Sequence, residues 1–258
     1  MSSKNIEVLI VDDDKDVCDA IASMFERFPI EVYVAYSGRE ACQMIDDGNY
    51  SIVITDVHMP EKDGFAVLNH IKKRNMEFPK VIFISGGMVD KEMAYHKGIE
   101  GFLEKPCNIE EAKRLLTKCL LRRKDWWSLP VNTRNGRITK KYYDWDAMVQ
   151  SEEIGLGKGG MFIAHKGESL KEGNIYEFKI NFVSGSPLRK IEGQGIVRWV
   201  RESDKDGLPA GVGLEVIHVD KYCLPFFKEC VDRLWSTCFI PLSGDSSVWK
   251  ALKLESME

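Results

Sequence analysis

At 258 residues, with 44% hydrophobic and 29% charged side chains, the chain has room for two ordinary domains and the composition of a globular protein. Its 36 Lys and Arg against 40 Asp and Glu give a net charge of −4, short of the positive field that duplex nucleic acid demands, so a DNA-binding output is disfavoured. No apolar run approaches the ~20 residues of a membrane span, and acids interrupt the N-terminal stretch where a signal peptide would be apolar, so a cytoplasmic protein is expected.

Taken in chain order, EVLIV (7–11) reads as a strand, and Val17, Ala20, Ile21, Met24 and Phe25 then repeat at helical spacing. EVYVAY (31–36) is the next strand and GREACQMIDDG (38–48) a helix closed by glycine. IVIT (52–55) leads to Asp56, with a helix expected over 64–74. VIFIS (81–85) precedes a short helix ending near Gly98, GFL (101–103) is a fifth strand, and Ile109 to Leu121 form a last helix. Five strands alternating with five helices predict a doubly wound, five-stranded parallel α/β sheet covered on both faces.

RRKDWWSLPVNTRNG (122–136) has no period and reads as a linker. Beyond it KYYDWDAMVQ, GGMFIAH, IYEFKINFV, GQGIVRWVR and AGVGLEVIHV are β-like runs separated by glycine-bearing turns, which predict an antiparallel β-barrel or sandwich. KYCLPFFKECVDRLW (221–235) is placed as a closing helix. The expected organisation is therefore multidomain: 1–121, a linker over 122–136, a barrel over 137–236 and a poorly ordered tail over 237–258. The charge divides unevenly, 15 basic against 21 acidic residues up to 121 and 21 against 19 after it. Cys18, Cys42, Cys107, Cys119, Cys223, Cys230 and Cys238 are scattered without a CxxC pair, as expected of reduced thiols rather than a zinc site.

In open parallel sheets the ligand site lies outside the carboxyl ends of the strands. Those ends carry Asp12, Asp13 and Asp14, then Asp56, Ser85 and Lys105. Each has a plain structural reading alone, and Asp14 can act simply as a helix cap. Together they read as a site. Clustered carboxylates call for a cation, and hard oxygen ligands with room for water favour Mg²⁺. Asp56 is then the nucleophile that takes a phosphoryl group as an acyl phosphate, Lys105 pairs with the added charge, and Ser85 hydrogen-bonds a phosphoryl oxygen. Gly86 and Gly87 leave space for the group to enter.

Residues 6–121 resemble the receiver domain of two-component response regulators, through VLIVDDD (8–14), VITDVHMPEKDG (53–64), FISG (83–86) and FLEKP (102–106). The resemblance implies that Asp56 is the phosphoacceptor. It implies Asp13 and Asp56 as direct Mg²⁺ ligands, Asp12 in the acidic pocket, and the backbone carbonyl of His58 as a further ligand. Ser85 matches the switch hydroxyl, Phe102 the switch aromatic, and Lys105 a lysine whose bond to Pro106 is often cis. It also implies a sensor histidine kinase as partner, self-modification rather than turnover of a substrate, and dimerisation through about 89–121. The His58 side chain is expected to face solvent and tune water access.

GLGKGGMFIAHKGESLKEG (155–173), IVRWVR (196–201) and AGVGLEVI (210–217) resemble a PilZ domain, a small β-barrel known for binding cyclic di-GMP. The family motif places Asp or Asn, then Ser, then Gly; anchored on Gly160, those polar positions are held by Gly155 and Gly157. The upstream Arg-x-x-x-Arg motif is matched only by Arg137 and Lys141, with Arg134 nearby, and lysine lacks the planar fork of arginine. The sequence thus favours an output through a protein partner. The alternative is a cyclic di-GMP receptor using a variant motif. Trp126, Trp127, Trp145 and Trp199 are expected in core or interdomain packing, the Trp126–Trp127 pair joining the domains.

Overall fold

The computed structural model describes residues 6–26, 28–74, 79–121, 127, 134–167, 170–184, 190–233 and 238–244. The chain divides into two compact units, Met1–Asp90 with Ile99–Leu120, and Lys91–Gly98 with Leu121–Glu258.

The first unit is built on β1 (Ile6–Val11), β2 (Ile30–Ala35), β3 (Ile52–Asp56), β4 (Lys80–Ser85) and β5 (Gly101–Glu104), all parallel in the order β2-β1-β3-β4-β5. β3 and β4 are buried along their whole length, which is why their sequences are continuous apolar runs rather than alternating ones. Val8, Ile10, Ile54, Ile84 and Leu103 pack on one side against α1 (Lys15–Phe25) and α5 (Ile109–Leu120), through Cys18, Ile21, Phe25, Leu115 and Leu116. α2 (Gly38–Asp47) and α3 (Gly64–Lys73) bury Ala41, Ile45, Val67 and Leu68. The helix starts are written locally. Asp14, Ser37 and Asp63 accept the N–H groups of Asp16, Glu40 and Ala66, satisfying donors that a helix leaves open at its first turn. The five-stranded, flavodoxin-like parallel sheet expected from the sequence is present, with boundaries shifted by one or two residues.

The second unit holds a six-stranded sheet in the order β6-β9-β10-β11-β8-β7. Its strands are β6 (Gly136–Tyr142), β7 (Ile154–Leu156), β8 (Gly160–Ala164), β9 (Ile175–Phe182), β10 (Lys190–Arg201) and β11 (Gly211–Val219). The sheet is mixed, correcting the antiparallel barrel expectation: β6 runs parallel to β9, while the other pairs are antiparallel. It is a curled half-barrel, and among the described residues no pairing between β6 and β7 closes it. A second correction supplies the reason. KYYDWDAMVQ is not one β-run but the end of β6 followed by α6 (Trp145–Ser151). Asp144 caps that helix by accepting the Ala147 N–H at 2.8 Å, and Trp145, Met148 and Val149 fall at helical spacing on its buried side. The connection from β6 to β9 carries α6 and the β7–β8 hairpin, giving the length that a parallel crossover needs.

β9 alternates strictly between half-buried and buried residues, sending Tyr176, Phe178, Ile180 and Phe182 inward. Trp145 packs on Phe182 and Phe226, and Phe226 lies on α7 (Leu224–Arg233), the closing helix expected. Trp127 is 1% exposed and meets Phe227 edge-on at 5.4 Å. It is therefore core of the second unit, and β11 is tied to it by the Val219 N–H, which donates to the Trp127 carbonyl at 3.2 Å. Trp126, and with it the paired role expected of Trp126 and Trp127, lies outside the described residues. α4 (Lys91–His96) also packs with this unit. The tail expectation needs revision over 238–244: Cys238, Phe239 and Ile240 are buried. Among the described residues no helix is long and apolar enough to cross a membrane.

Candidate functional site

The site forms at the carboxyl edge of the parallel sheet. The register pairs Val11 with Thr55, Asp56 with Ile84, and Ser85 with Glu104, so β1, β3, β4 and β5 end at one level. Asp12, just past β1, is 1% exposed; Asp56 is 4% and Ser85 2% exposed. Carboxylates this deep must be compensated. Lys105 does so for both, with Nζ 2.6 Å from Asp12 Oδ2 and 2.6 Å from Asp56 Oδ1.

Each carboxylate also uses its second oxygen. Asp12 Oδ1 accepts the Asp14 N–H at 3.0 Å, and Asp56 Oδ2 accepts the His58 N–H at 2.5 Å. Burial alone works against the charged form of Lys105. The hydrogen bonds to Asp12 and Asp56, with their charges, outweigh it and hold its pKa above the ordinary lysine value. Burial and the neighbouring Asp12 push the Cys18 thiol up to about 11, so it remains a protonated packing group beneath the pocket.

Ser85 Oγ accepts the Gly87 N–H at 3.1 Å, and the Ser85 carbonyl accepts the Lys105 N–H at 2.9 Å. The Lys105–Pro106 bond is cis. Phe102 is 7% exposed on β5, in register with Phe83. Asp13 is exposed, and Asp14 is engaged as the cap of α1. The His58 side chain is exposed and lies beside Gly87, where an added Cβ would come 3.5 Å from the imidazole. A Cβ at Gly86 would likewise make only ordinary contact, with Lys105, so neither position demands glycine.

Gly64 does, and it is absent from the residues read as functional in the sequence. A Cβ there would stand 2.5 Å from the Asp56 carbonyl oxygen. The first turn of α3 thus rests directly on the backbone of Asp56, with the Gly64 N–H on the Val57 carbonyl at 3.1 Å. The available signal is a glycine immediately after the capping Asp63.

Among the described residues no three His, Cys, Asp or Glu side chains gather as a metal group. What exists is a pair of buried carboxylates sharing one ammonium, with exposed Asp13 next to Asp12 in the chain, leaving an excess of negative charge. Such a site suits a hard cation that keeps most of its waters and takes one or two carboxylates, which is the habit of Mg²⁺. Asp12, Asp13, Asp56 and the His58 carbonyl are the groups available to hold it.

In the second unit, Arg134 and Arg137 both turn to Glu177. Arg137 Nε and Nη2 donate to Glu177 Oε2 at 2.9 and 2.7 Å, and Arg134 pairs with Oε1. These hydrogen bonds, Arg137 first, hold the Glu177 carboxyl below its ordinary range. Lys141 is exposed and faces the same way along β6. A cavity of about 330 Å³ beside Arg137 is lined by charges of both signs, among them Glu177, Lys179, Glu192 and Asp220. Gly155 and Gly157 are not at its wall. Added Cβ atoms there would meet the Ser243 and Phe239 carbonyl oxygens at 2.2 and 2.4 Å, so the chain's own segment covers them.

Residues 8–117 match the response regulator receiver domain family. The transcriptional regulatory protein ZraR of Escherichia coli K12 is 31% identical over 121 residues, 46% of this chain and 27% of that protein. CpxR of the same organism, also a transcriptional regulatory protein, is 27% identical over 133 residues, 52% of this chain and 56% of that protein. The chain therefore spans only part of these relatives. The receiver domain of the Francisella response regulator 1452 is 33% identical, covering 44% of this chain and 95% of that one with a TM-score of 0.41. The N-terminal part of the chain is a response regulator receiver domain, which places it in two-component signalling.

Proposed function

We propose that the chain is a phosphorylation-dependent response regulator in which Asp56 accepts a phosphoryl group from a sensor histidine kinase and the second unit passes the outcome to a protein partner. The observation that carries this is the buried Asp56 carboxylate, held with Asp12 on the single ammonium of Lys105 at a sheet edge that also presents Ser85. An Asp56 oxygen attacks phosphorus as the bond to the kinase's phosphohistidine nitrogen breaks, leaving an acyl phosphate. Bound Mg²⁺ would supply neutralising charge for the incoming group. Lys105 exchanges its bond to Asp56 Oδ1 for a phosphoryl oxygen and keeps its bond to Asp12. Ser85 turns its hydroxyl toward a second phosphoryl oxygen, and Phe102 repacks behind it, shifting the population between two states. His58, exposed at the mouth beside Gly87, sets how readily water reaches the acyl phosphate.

A protein partner is preferred to cyclic di-GMP for the output. Arg134 and Arg137 already spend their guanidinium groups on Glu177, so a nucleotide phosphate would have to displace a carboxylate of the same chain. Dimerisation through 89–121 is not part of the proposal, because Tyr95 on α4 is buried against Phe239 within the chain. Incubation with Mg²⁺ and acetyl phosphate should add one phosphoryl group, read by intact mass. An Asp56→Asn variant that still accepted it would overturn the assignment.

A further inference from the structure

The segment 238–244 falls in what the sequence suggests is a poorly ordered tail, yet its Cys238, Phe239 and Ile240 are buried in the second unit. Phe239 and Ile240 are 1% and 0% exposed. On one side they lie on the glycines of the β7–β8 hairpin. The Lys158 and Gly159 N–H groups donate to the Cys238 and Phe239 carbonyls at 3.0 and 3.2 Å. A Cβ on Gly159 would stand 2.1 Å from the Phe239 ring, and one on Gly160 2.6 Å from Ile240. The hairpin is glycine-rich because this segment lies in van der Waals contact with its backbone.

On the other side the same residues hold α4. The Phe239 and Ile240 N–H groups both donate to the Tyr95 carbonyl, at 3.1 and 3.4 Å, and the Phe239 and Tyr95 rings lie 6.0 Å apart. Arg201 fastens both parts from the end of β10, donating through Nη2 to the Leu242 carbonyl at 3.1 Å and pairing with Glu92 on α4. α4 is also the next element along the chain after β4, whose last residue is Ser85, with only 86–90 between them.

We infer that residues 238–244 are a strap that locks α4 onto the glycine hairpin, and that phosphorylation at Asp56 loosens it. The inference rests on the function proposed above. When Ser85 turns toward the phosphoryl group, it gives up the Gly87 N–H that it now accepts, and the 86–90 connection is free to shift. α4 then moves, and the Tyr95 carbonyl withdraws from two strap amides at once. Phe239 leaves its seat on Gly159, and the glycine hairpin is uncovered.

The test is amide hydrogen exchange on the full chain with Mg²⁺, with and without beryllofluoride, the acyl-phosphate mimic. The expected result is slower exchange in the peptide containing Asp56 and exchange at least about tenfold faster over 238–244. Slower exchange around Asp56 with 238–244 unchanged overturns the strap and leaves the function standing. No change around Asp56 overturns both. Phe239→Ala without beryllofluoride tests the lock alone: exchange over 91–98 should accelerate while the β1–β3 peptides keep their protection, and unchanged exchange over 91–98 overturns it.

Discussion

Replacing Lys105 by Met removes the ammonium shared by two carboxylates whose side chains are 1% and 5% exposed, while keeping the apolar stem of the lysine. Breaking a fully buried ion pair costs about 3–5 kcal/mol; because Lys105 is itself 25% exposed and water screens part of the charge, about 2 kcal/mol is expected. For a domain of this size that corresponds to a fall in Tm of roughly 8–16 °C. Magnesium should restore most of it, since a divalent cation replaces the lost charge, and a ligand at 100 times its Kd stabilises by about 2.7 kcal/mol. The assay can isolate the receiver inside the intact chain, because all six tryptophans lie beyond residue 121. Far-UV circular dichroism follows both units and tryptophan fluorescence only the second, so the transition seen by the first and missed by the second belongs to the receiver. A Lys105→Met melting point within about 2 °C of the parent without Mg²⁺, or equal stabilisation of both proteins by Mg²⁺, would show that the two carboxylates do not depend on this ammonium.

Gly64→Ala forces a methyl into the space 2.5 Å from the Asp56 carbonyl, which should cost about 1–3 kcal/mol and slow phosphorylation by acetyl phosphate in a time course read by mass. Trp127→Ala should cost the second unit about 3–5 kcal/mol in urea unfolding followed by the remaining tryptophans, because it empties the space against Phe227. Glu177→Gln should cost less than about 1 kcal/mol at neutral pH, the scale of a surface pair. Its pH dependence carries the information. The folded carboxyl is held below its unfolded value by Arg137 and Arg134, so its contribution is present above the unfolded value and is lost as pH falls through the folded one. The difference between parent and variant should therefore shrink as pH falls below the ordinary glutamate range and vanish once it passes below the folded value, as read in urea titrations.

The receiver half was largely legible because its rules are local. Strands buried on both faces must be continuously apolar, helix starts need capping oxygens, and the loops after the strands must carry the chemistry. Asp12, Asp56, Ser85 and Lys105 could be assembled from the chain order of their strands alone. What could not be read was Gly64, whose constraint is the approach of α3 to the Asp56 carbonyl rather than any conformational need of its own. In the second unit, alternation identified β9, while the expectation of antiparallel pairing throughout failed at β6 and β9. The short helix α6 is announced by Asp144 with Trp145, Met148 and Val149, but it is embedded in aromatic residues that also suit a strand.

The two glycines, Gly155 and Gly157, mark the division most clearly. That glycines stand at these two places was visible in the sequence; their reason was not, because it lies in the carbonyls of Phe239 and Ser243, more than 80 residues away. The sequence by itself determined the parallel sheet, the acidic edge and the residue that faces it, since periodicity and strand-end chemistry act over a few residues. Only the tertiary structure decided that a single ammonium serves two carboxylates, that β6 runs parallel to β9, and that an apparent tail is core. Each of those is a pairing between distant segments, settled by which burial and hydrogen bonds the whole chain can satisfy at once.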